Sequence, residues 1–145
     1  MPKDYPDWFG QPQFPSYGQY KLNAIPSQIV GSGSTKTIVS MTASINIVGT
    51  YVHCYSVTRP DQVIVDVYAD ENLFATQVIS NLRNYNLSDV TGYPLKCTYY
   101  DEVGESFFVA LNVLLTVISS YQIKVENHSS VNINVSAGVY YYERA

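Results

Sequence analysis

Charge is scarce in this sequence. Of 145 residues, 14% are Asp, Glu, Lys or Arg, against about 25% in an ordinary globular protein. The eight basic residues are scattered, without any Lys/Arg run. They build no phosphate-tracking surface, so nucleic acid is not an expected partner. Cysteine is nearly missing as well. Cys54 and Cys97 are the only two, which excludes a disulfide-dense scaffold. No second Cys or His stands at metal-ligand spacing from either. Two buried thiols acting as small hydrophobes are expected, with a disulfide between neighbouring strands as the alternative. Long apolar runs are absent. The longest, FFVALNVLLTVI over residues 107–118, is interrupted by Asn112 and Thr116 and is too short to span a bilayer. The opening MPKDYPDWFG carries no apolar stretch of the signal-peptide kind, so a soluble protein made in a cytoplasm is expected.

Motifs of chemistry are missing too. There is no Gly-x-Ser-x-Gly elbow, no His-Glu-x-x-His helix and no phosphate-binding loop. His53 falls within a strand pattern and His128 in the turn NHSS, and neither has an obvious carboxylate partner in the sequence. Carboxylates cluster in two turns, at Asp70–Glu71 and at Asp101, Glu102 and Glu105. Strand-connecting turns favour Asp for local hydrogen bonding, and the spacing fits no calcium loop. Three glycosylation sequons, at Asn86, Asn127 and Asn134, are ordinary in a chain this rich in Asn and Ser. No enzymatic activity, cofactor or metal is expected.

Tyrosine is what the chain has in quantity, 14 residues of it. With charge so low, the surface has to be covered by Tyr, Ser, Thr, Asn and Gln. Aromatic residues are enriched at interface cores and Lys and Glu are depleted there, so this composition suits lasting contact with neighbours. Net charge is −4 and the sequence pI is about 4.9.

From residue 21 onward the pattern is that of β structure. YKLNAIPSQIV reads as an extended strand bent at Pro26, and GSGS as a turn. In IVSMTASINIV the apolar residues Val39, Met41, Ala43, Ile45 and Ile47 alternate with polar ones, the period of a half-buried strand. Gly49 breaks or bulges it, and TYVHCYSV follows as the next strand with Tyr51, His53 and Tyr55 on one face. After the turn RPDQ, Val63, Val65 and Val67 share a face, and DENLF reverses the chain. TQVISNLRNYNL repeats its apolar residues every three to four positions after Thr76, predicting a short helix with Thr76 as N-cap. LKCTYYD and SFFVALN are strands around the turn EVGE, the second central and covered on both faces. The stretch VLLTVISS fits either a continuation of that strand or a hydrophobic loop. The ending YQIKVENHSSVNINVSAGVYYYERA reads as an antiparallel hairpin with a bulge at Gly138. About eight strands with turn signals every 8–12 residues predict an all-β antiparallel sandwich with one short helix. A jelly roll fits the strand count best, with an immunoglobulin-like sandwich as the alternative. Phe107, Val109, Ile123, Val125, Ile133 and Val135 join the central valines and isoleucines in the expected core.

Residues 1–20 are different. They hold four of the seven prolines, with Tyr5, Trp8, Phe9, Phe14, Tyr17 and Tyr20 between them. So many prolines forbid a helix and spoil a ladder, yet disordered tails are poor in aromatics. An extended N-terminal arm attached to a sandwich of residues 21–145 is expected, with Tyr5, Trp8, Phe9, Phe14 and Tyr17 as the residues that dock on a neighbour.

Three stretches, DYPDWFG, VISNLRNYNL followed by YPLKCTYYD, and the closing YQIKVENHSSVNINVSAGVYYYE, carry a resemblance. The chain resembles the small jelly-roll structural proteins of tailed bacteriophage virions. Such proteins include capsid decoration proteins, accessory head or tail parts and receptor-binding components, often trimers. The resemblance implies a virion protein without catalytic residues, assembled in the host cytoplasm. It would form a homo-oligomer and contact the major capsid or other virion proteins. The alternative is a carbohydrate- or receptor-binding module, in which YYYER and CTYY supply rings for sugar stacking.

Overall fold

A computed structural model describes residues 17–84, 94–111 and 113–144. Ten strands and one short helix follow in the order β1 (Tyr17–Val30), β2 (Thr35–Met41), β3 (Ile45–Tyr55), β4 (Val63–Ala69), β5 (Asn72–Val78), α1 (Ile79–Asn84), β6 (Leu95–Asp101), β7 (Ser106–Leu111), β8 (Leu115–Val117), β9 (Tyr121–Asn127) and β10 (Ile133–Arg144). They form two antiparallel sheets. The larger runs β1-β10-β3-β7-β6, with β8 pairing the start of β3, and the smaller runs β2-β9-β4-β5. The pairing is nested: β1 with β10, β2 with β9, β3 with β7 and β4 with β5. That is a rolled-up double Greek key, the jelly roll. Strand β6 is an added edge beside β7.

Alternation explains the core. Val39, Ile45, Ile47, Val63, Val65, Val67, Phe107, Val109, Ile123, Val125, Ile133 and Val135 are buried as expected, and Met41 is half-buried at the rim. Cys54 and Cys97 are buried among them, and neither is in a disulfide. Burial pushes the Cys54 thiol up to about 12, so it remains a neutral small hydrophobe.

The structure revises the expectations for several segments. The run Val39 to Ile47 is two strands, because the chain leaves the smaller sheet after Met41 and joins the larger one at Ile45. Gly49 bulges the strand and does not break it, one of the two outcomes expected there. It lies inside β3, where a bulge shifts the register between Tyr140–Gly49 and Tyr141–Ile47. That bulge moves the inward positions from Ile45 and Ile47 to Thr50, Val52 and Cys54. Thr76 is not an N-cap: it belongs to β5, where its hydroxyl donates to the carboxylate of Asp66, and the helix begins at Ile79. Residues 85–87, the end of the same stretch, lie outside the described residues.

The terminal segments do not form a hairpin. Strand β9 sits between β2 and β4, whereas β10 sits between β1 and β3 in the other sheet. Both halves alternate correctly because each turns its apolar side to the same core from opposite layers. Periodicity alone does not separate that case from a hairpin. Gly138 is in register on both sides, opposite Ala24 and Tyr51, and no bulge occurs there. The bend expected at Pro26 is present as a register shift between Ile25 and Gln28.

The β4–β5 turn is tighter than DENLF suggests. It is a two-residue loop with Asp70 and Glu71 at φ 51° and 70°, the backbone of a type I′ hairpin. Asp70 has a reason to be there. Its carboxylate accepts the backbone N–H groups of Ile118, Ser119 and Ser120 at 2.7–3.2 Å. Those bonds hold its pKa down at about 2. They also pin the segment that follows β8.

Candidate functional site

The outward positions of the larger sheet carry most of the described rings. On β10 the inward residues are Val135, Ala137 and Val139, which leaves Tyr140 and Tyr142 facing out. Register then places Tyr20 of β1 beside Tyr142 and Leu22 beside Tyr140. The ring of Tyr20 lies 5.0 Å from that of Tyr142 and 6.0 Å from that of Tyr140. Tyr51 of β3 continues the row at 6.3 Å from Tyr140. Two residues along β3, His53 stacks flat on Phe108 of β7, with centroids 4.0 Å apart and planes 2° apart. Tyr99 of β6 closes the far edge, edge-on to Phe108 at 6.0 Å. One aromatic band therefore crosses the sheet from β1 to β6. Offset and edge contacts of this kind each add about 0.5–1.5 kcal/mol beyond area burial.

The band is neutral and half open. Tyr20, Leu22 and Tyr99 are 48%, 48% and 49% exposed. Burial lowers the His53 pKa and so favours the uncharged imidazole, whose Nε2 shares a 2.8 Å hydrogen bond with the Ser106 hydroxyl. It acts as a flat neutral ring. Gly138 explains how Tyr51 lies so low on the sheet. A Cβ at that position would stand 2.2–2.5 Å from the Tyr51 ring. Gly138→Ala is expected to displace Tyr51 and cost about 1–3 kcal/mol as an overpacking change. Thermal unfolding of the variant checks this, and an unchanged midpoint would show that the ring moves freely.

At one end of the band lies an apolar groove between β3, β8 and β10. Val48, Leu114, Leu115 and the ring of Tyr142 line it, with Asn46 and Thr116 on its rim. The Thr116 hydroxyl donates to the Asn46 side-chain oxygen at 3.1 Å. Leu114 is 80% exposed and Ile118, just beyond β8, is 70% exposed. The stretch VLLTVISS is thus neither a mere continuation of β7 nor a plain loop. It is a short strand whose flanks present leucine and isoleucine to solvent, fixed from below by Asp70.

A second, polar hollow lies at the opposite end of the sandwich, lined by Thr58, Arg59, Asp61, Ser80, Tyr100 and Glu102. Its charges are used within it. Arg59 grips Asp61 through two bonds of 3.0 and 2.9 Å, and the Tyr100 hydroxyl donates to Glu102 at 3.1 Å.

The smaller sheet shows a pair that the sequence did not disclose. Asp66 of β4 is buried and hydrogen-bonds Glu126 of the adjacent β9. Burial chiefly, and then Glu126, raises the Asp66 carboxyl to about 6, while the bond from Asp66 holds Glu126 below its ordinary value. The two lie on a sheet face in direct contact, without the water-sized separation across a cleft that glycoside hydrolysis uses. His128, which seemed to lack a partner in the sequence, places Nε2 3.1 Å from Glu126. Finding this group needed the β4–β9 register, in which Ile64 faces Glu126 and Asp66 faces Lys124. Among the described residues, no three His, Cys, Asp or Glu side chains gather at metal-ligand distance, and no helix is long and apolar enough to cross a membrane.

No protein-family model and no curated protein matches this chain. The site is therefore read from its own geometry. Of the residues expected to dock on a neighbour, Tyr5, Trp8, Phe9 and Phe14 lie outside the described residues. Tyr17 is the first residue of β1 and pairs with Arg144, so β1 takes in residues 17–20 of the expected arm. Strand β1 thus begins beside Arg144, two residues beyond Tyr142, at the same end as the apolar groove. Sequence reasoning singled out YYYER, CTYY and the outward trio Tyr51, His53 and Tyr55. It missed that strand order makes one band of them, and it missed the groove.

Proposed function

We propose that this protein is an assembly subunit, a jelly-roll structural protein of a virion that decorates or cements a shell. It attaches to neighbouring subunits through the segment preceding β1 and through the outer face of its larger sheet. The observation that carries the reading is the aromatic band: a row of partly exposed, uncharged rings across the sheet. Protein interfaces are enriched in such residues and depleted in charge at their centres. Exposed aromatic sheet faces also require cover, because large apolar patches on isolated domains promote nonspecific association. The resemblance to tailed-phage virion proteins supports the setting, and a homo-oligomer, with a trimer among the candidate states, is the expected form.

Light scattering on the full chain across a concentration series tests this. A defined oligomer is expected. Tyr20→Ser with Tyr99→Ser is expected to weaken association at least tenfold while leaving the unfolding midpoint within a few degrees. A protein that stays monomeric, and that binds no virion shell protein, would refute the reading.

A second reading has one observation in its favour. Tyr20 and Tyr99 present half-open rings, and sugars stack on such rings. A carbohydrate- or receptor-binding module would retain glycans on an array as a monomer and lose them on Tyr20→Ser. An assembly subunit would show the oligomer and no glycan signal.

A further inference from the structure

We infer that the apolar groove between β3, β8 and β10 is the receptor for residues 1–16 of a second copy of this chain. This rests on the assembly reading above and names the contact that would carry it. The chemistry of the two parts is complementary. The groove offers Val48, Leu114, Leu115 and the Tyr142 ring, with a neutral rim of Asn46 and Thr116. Residues 1–16 offer Tyr5, Trp8, Phe9 and Phe14. Leu114, at 80% exposed, is the wall most in need of cover. The strand that bears the wall is held by its ladder to β3, where Leu115 stands opposite Ile47, and by the 3.1 Å bond from Thr116 to Asn46. A wall held in place loses less entropy when a segment docks.

Position and length bring a second copy within reach, and the assembly reading supplies that copy. Residues 1–16 join β1 at Tyr17, opposite Arg144. From there to β8 the path crosses β10 and β3, three strand spacings or about 15 Å. In extended form the segment reaches about 50 Å. Prolines at 2, 6, 12 and 15 favour that form. That reach is about three times the distance to the groove of its own domain, so the segment is long enough to extend past the domain to the groove of a neighbour. Because every copy holds both parts, the exchange repeats around a closed assembly.

The sequence supplies its own reporter, as Trp8 is the single tryptophan. Two full-length variants are needed. Trp8→Ala with Phe9→Ala removes the anchors and leaves the groove; it is also silent in tryptophan fluorescence. Leu114→Glu places a charge at an exposed groove wall and leaves residues 1–16 intact. The wild type is expected to show blue-shifted Trp8 emission that moves red on dilution. Leu114→Glu alone is expected to emit at the red, solvated position, with association weakened at least tenfold. Adding the Trp-silent variant to Leu114→Glu is expected to restore the blue shift, because one chain then supplies the groove and the other the anchors. If Leu114→Glu emits like the wild type, or if mixing restores nothing, the groove is not the receptor and the inference falls. An oligomer that survives Leu114→Glu by light scattering, with Trp8 unmoved, would overturn the inference and leave the assembly reading standing. A wild type that is monomeric throughout would end both.

Discussion

Asn127→Ala is expected to lower the unfolding free energy by about 3–5 kcal/mol, the loss of a buried hydrogen-bond network in which each orphaned polar group costs about 1–3 kcal/mol. Asn127 is fully buried at the end of β9. Its side-chain amide donates to the carbonyls of Val30 at 3.1 Å, Gly31 at 3.3 Å and Val131 at 2.8 Å. Its side-chain oxygen accepts the Ser129 amide at 3.0 Å and the Ser129 hydroxyl at 2.6 Å. Val30 ends β1 of the larger sheet, Gly31 follows it, and Ser129 and Val131 lie in the connection leading into β10 of that sheet, whereas Asn127 itself is in the smaller one. The residue therefore ties the two layers together at one end of the sandwich. Alanine would take the side-chain donor from the buried Val30 carbonyl and the acceptor from the buried Ser129 amide, while the Gly31 and Val131 carbonyls would keep only their bonds from Ser34 and Ser129. Aspartate would serve no better, because it lacks the donor that three carbonyls require. Denaturant titration measures the loss. A cost below 1 kcal/mol would mean that water replaces the amide and that the tie is dispensable. The same geometry removes Asn127 as a glycan acceptor in the folded protein, although it stands in a sequon.

The Asp66–Glu126 pair is expected to make the protein less stable at pH 7 than near pH 4.5. Asp66 ionises near 6 in the folded state, raised from 3.8, so between those values the folded chain holds a proton that the unfolded chain releases. Stability from this group is complete below the unfolded value and is lost as pH rises through the folded one. Glu126 has the opposite sign, since its folded pKa is lowered. Its contribution is present above the ordinary value and lost in stronger acid. The pair is therefore most favourable with one proton shared between two carboxyls. Asp66→Asn keeps a donor for Glu126 and removes the ionisation. At pH 7 it is expected to stabilise the protein by on the order of 2 kcal/mol, at 1.36 kcal/mol per pKa unit. The decline between pH 4.5 and 7 should flatten in the variant. Denaturant titrations of both proteins at the two pH values decide it. A wild type that gains stability toward pH 7, with Asp66→Asn no better, would refute the shared proton.

Much of this protein was determined by the sequence alone. Period-two alternation of Val63, Val65 and Val67, or of Ile123 and Val125, names inward faces whatever the partners are, because side-chain direction along a strand is a local property. Proline and aromatic content sets residues 1–20 apart in composition for an equally local reason, yet Tyr17–Tyr20 belong to β1 because β10 pairs with them. Pairing is not local. The ending from Tyr121 onward alternates correctly for a hairpin, yet β9 and β10 lie in opposite sheets, a choice made by which other strands compete for each edge. Gly49 was legible as an interruption, but its bulge keeps β3 whole because β10 bridges it. Tyr20, Tyr140, His53, Phe108 and Tyr99 are far apart in the chain, and only strand order brings their rings into one band. The same holds for Asp66 with Glu126, and for the groove that joins Val48 to Leu114 and Tyr142. The sequence by itself decided which residues face in and which face out. The tertiary structure decided which outward residues meet, since that depends on register between strands that no single segment encodes.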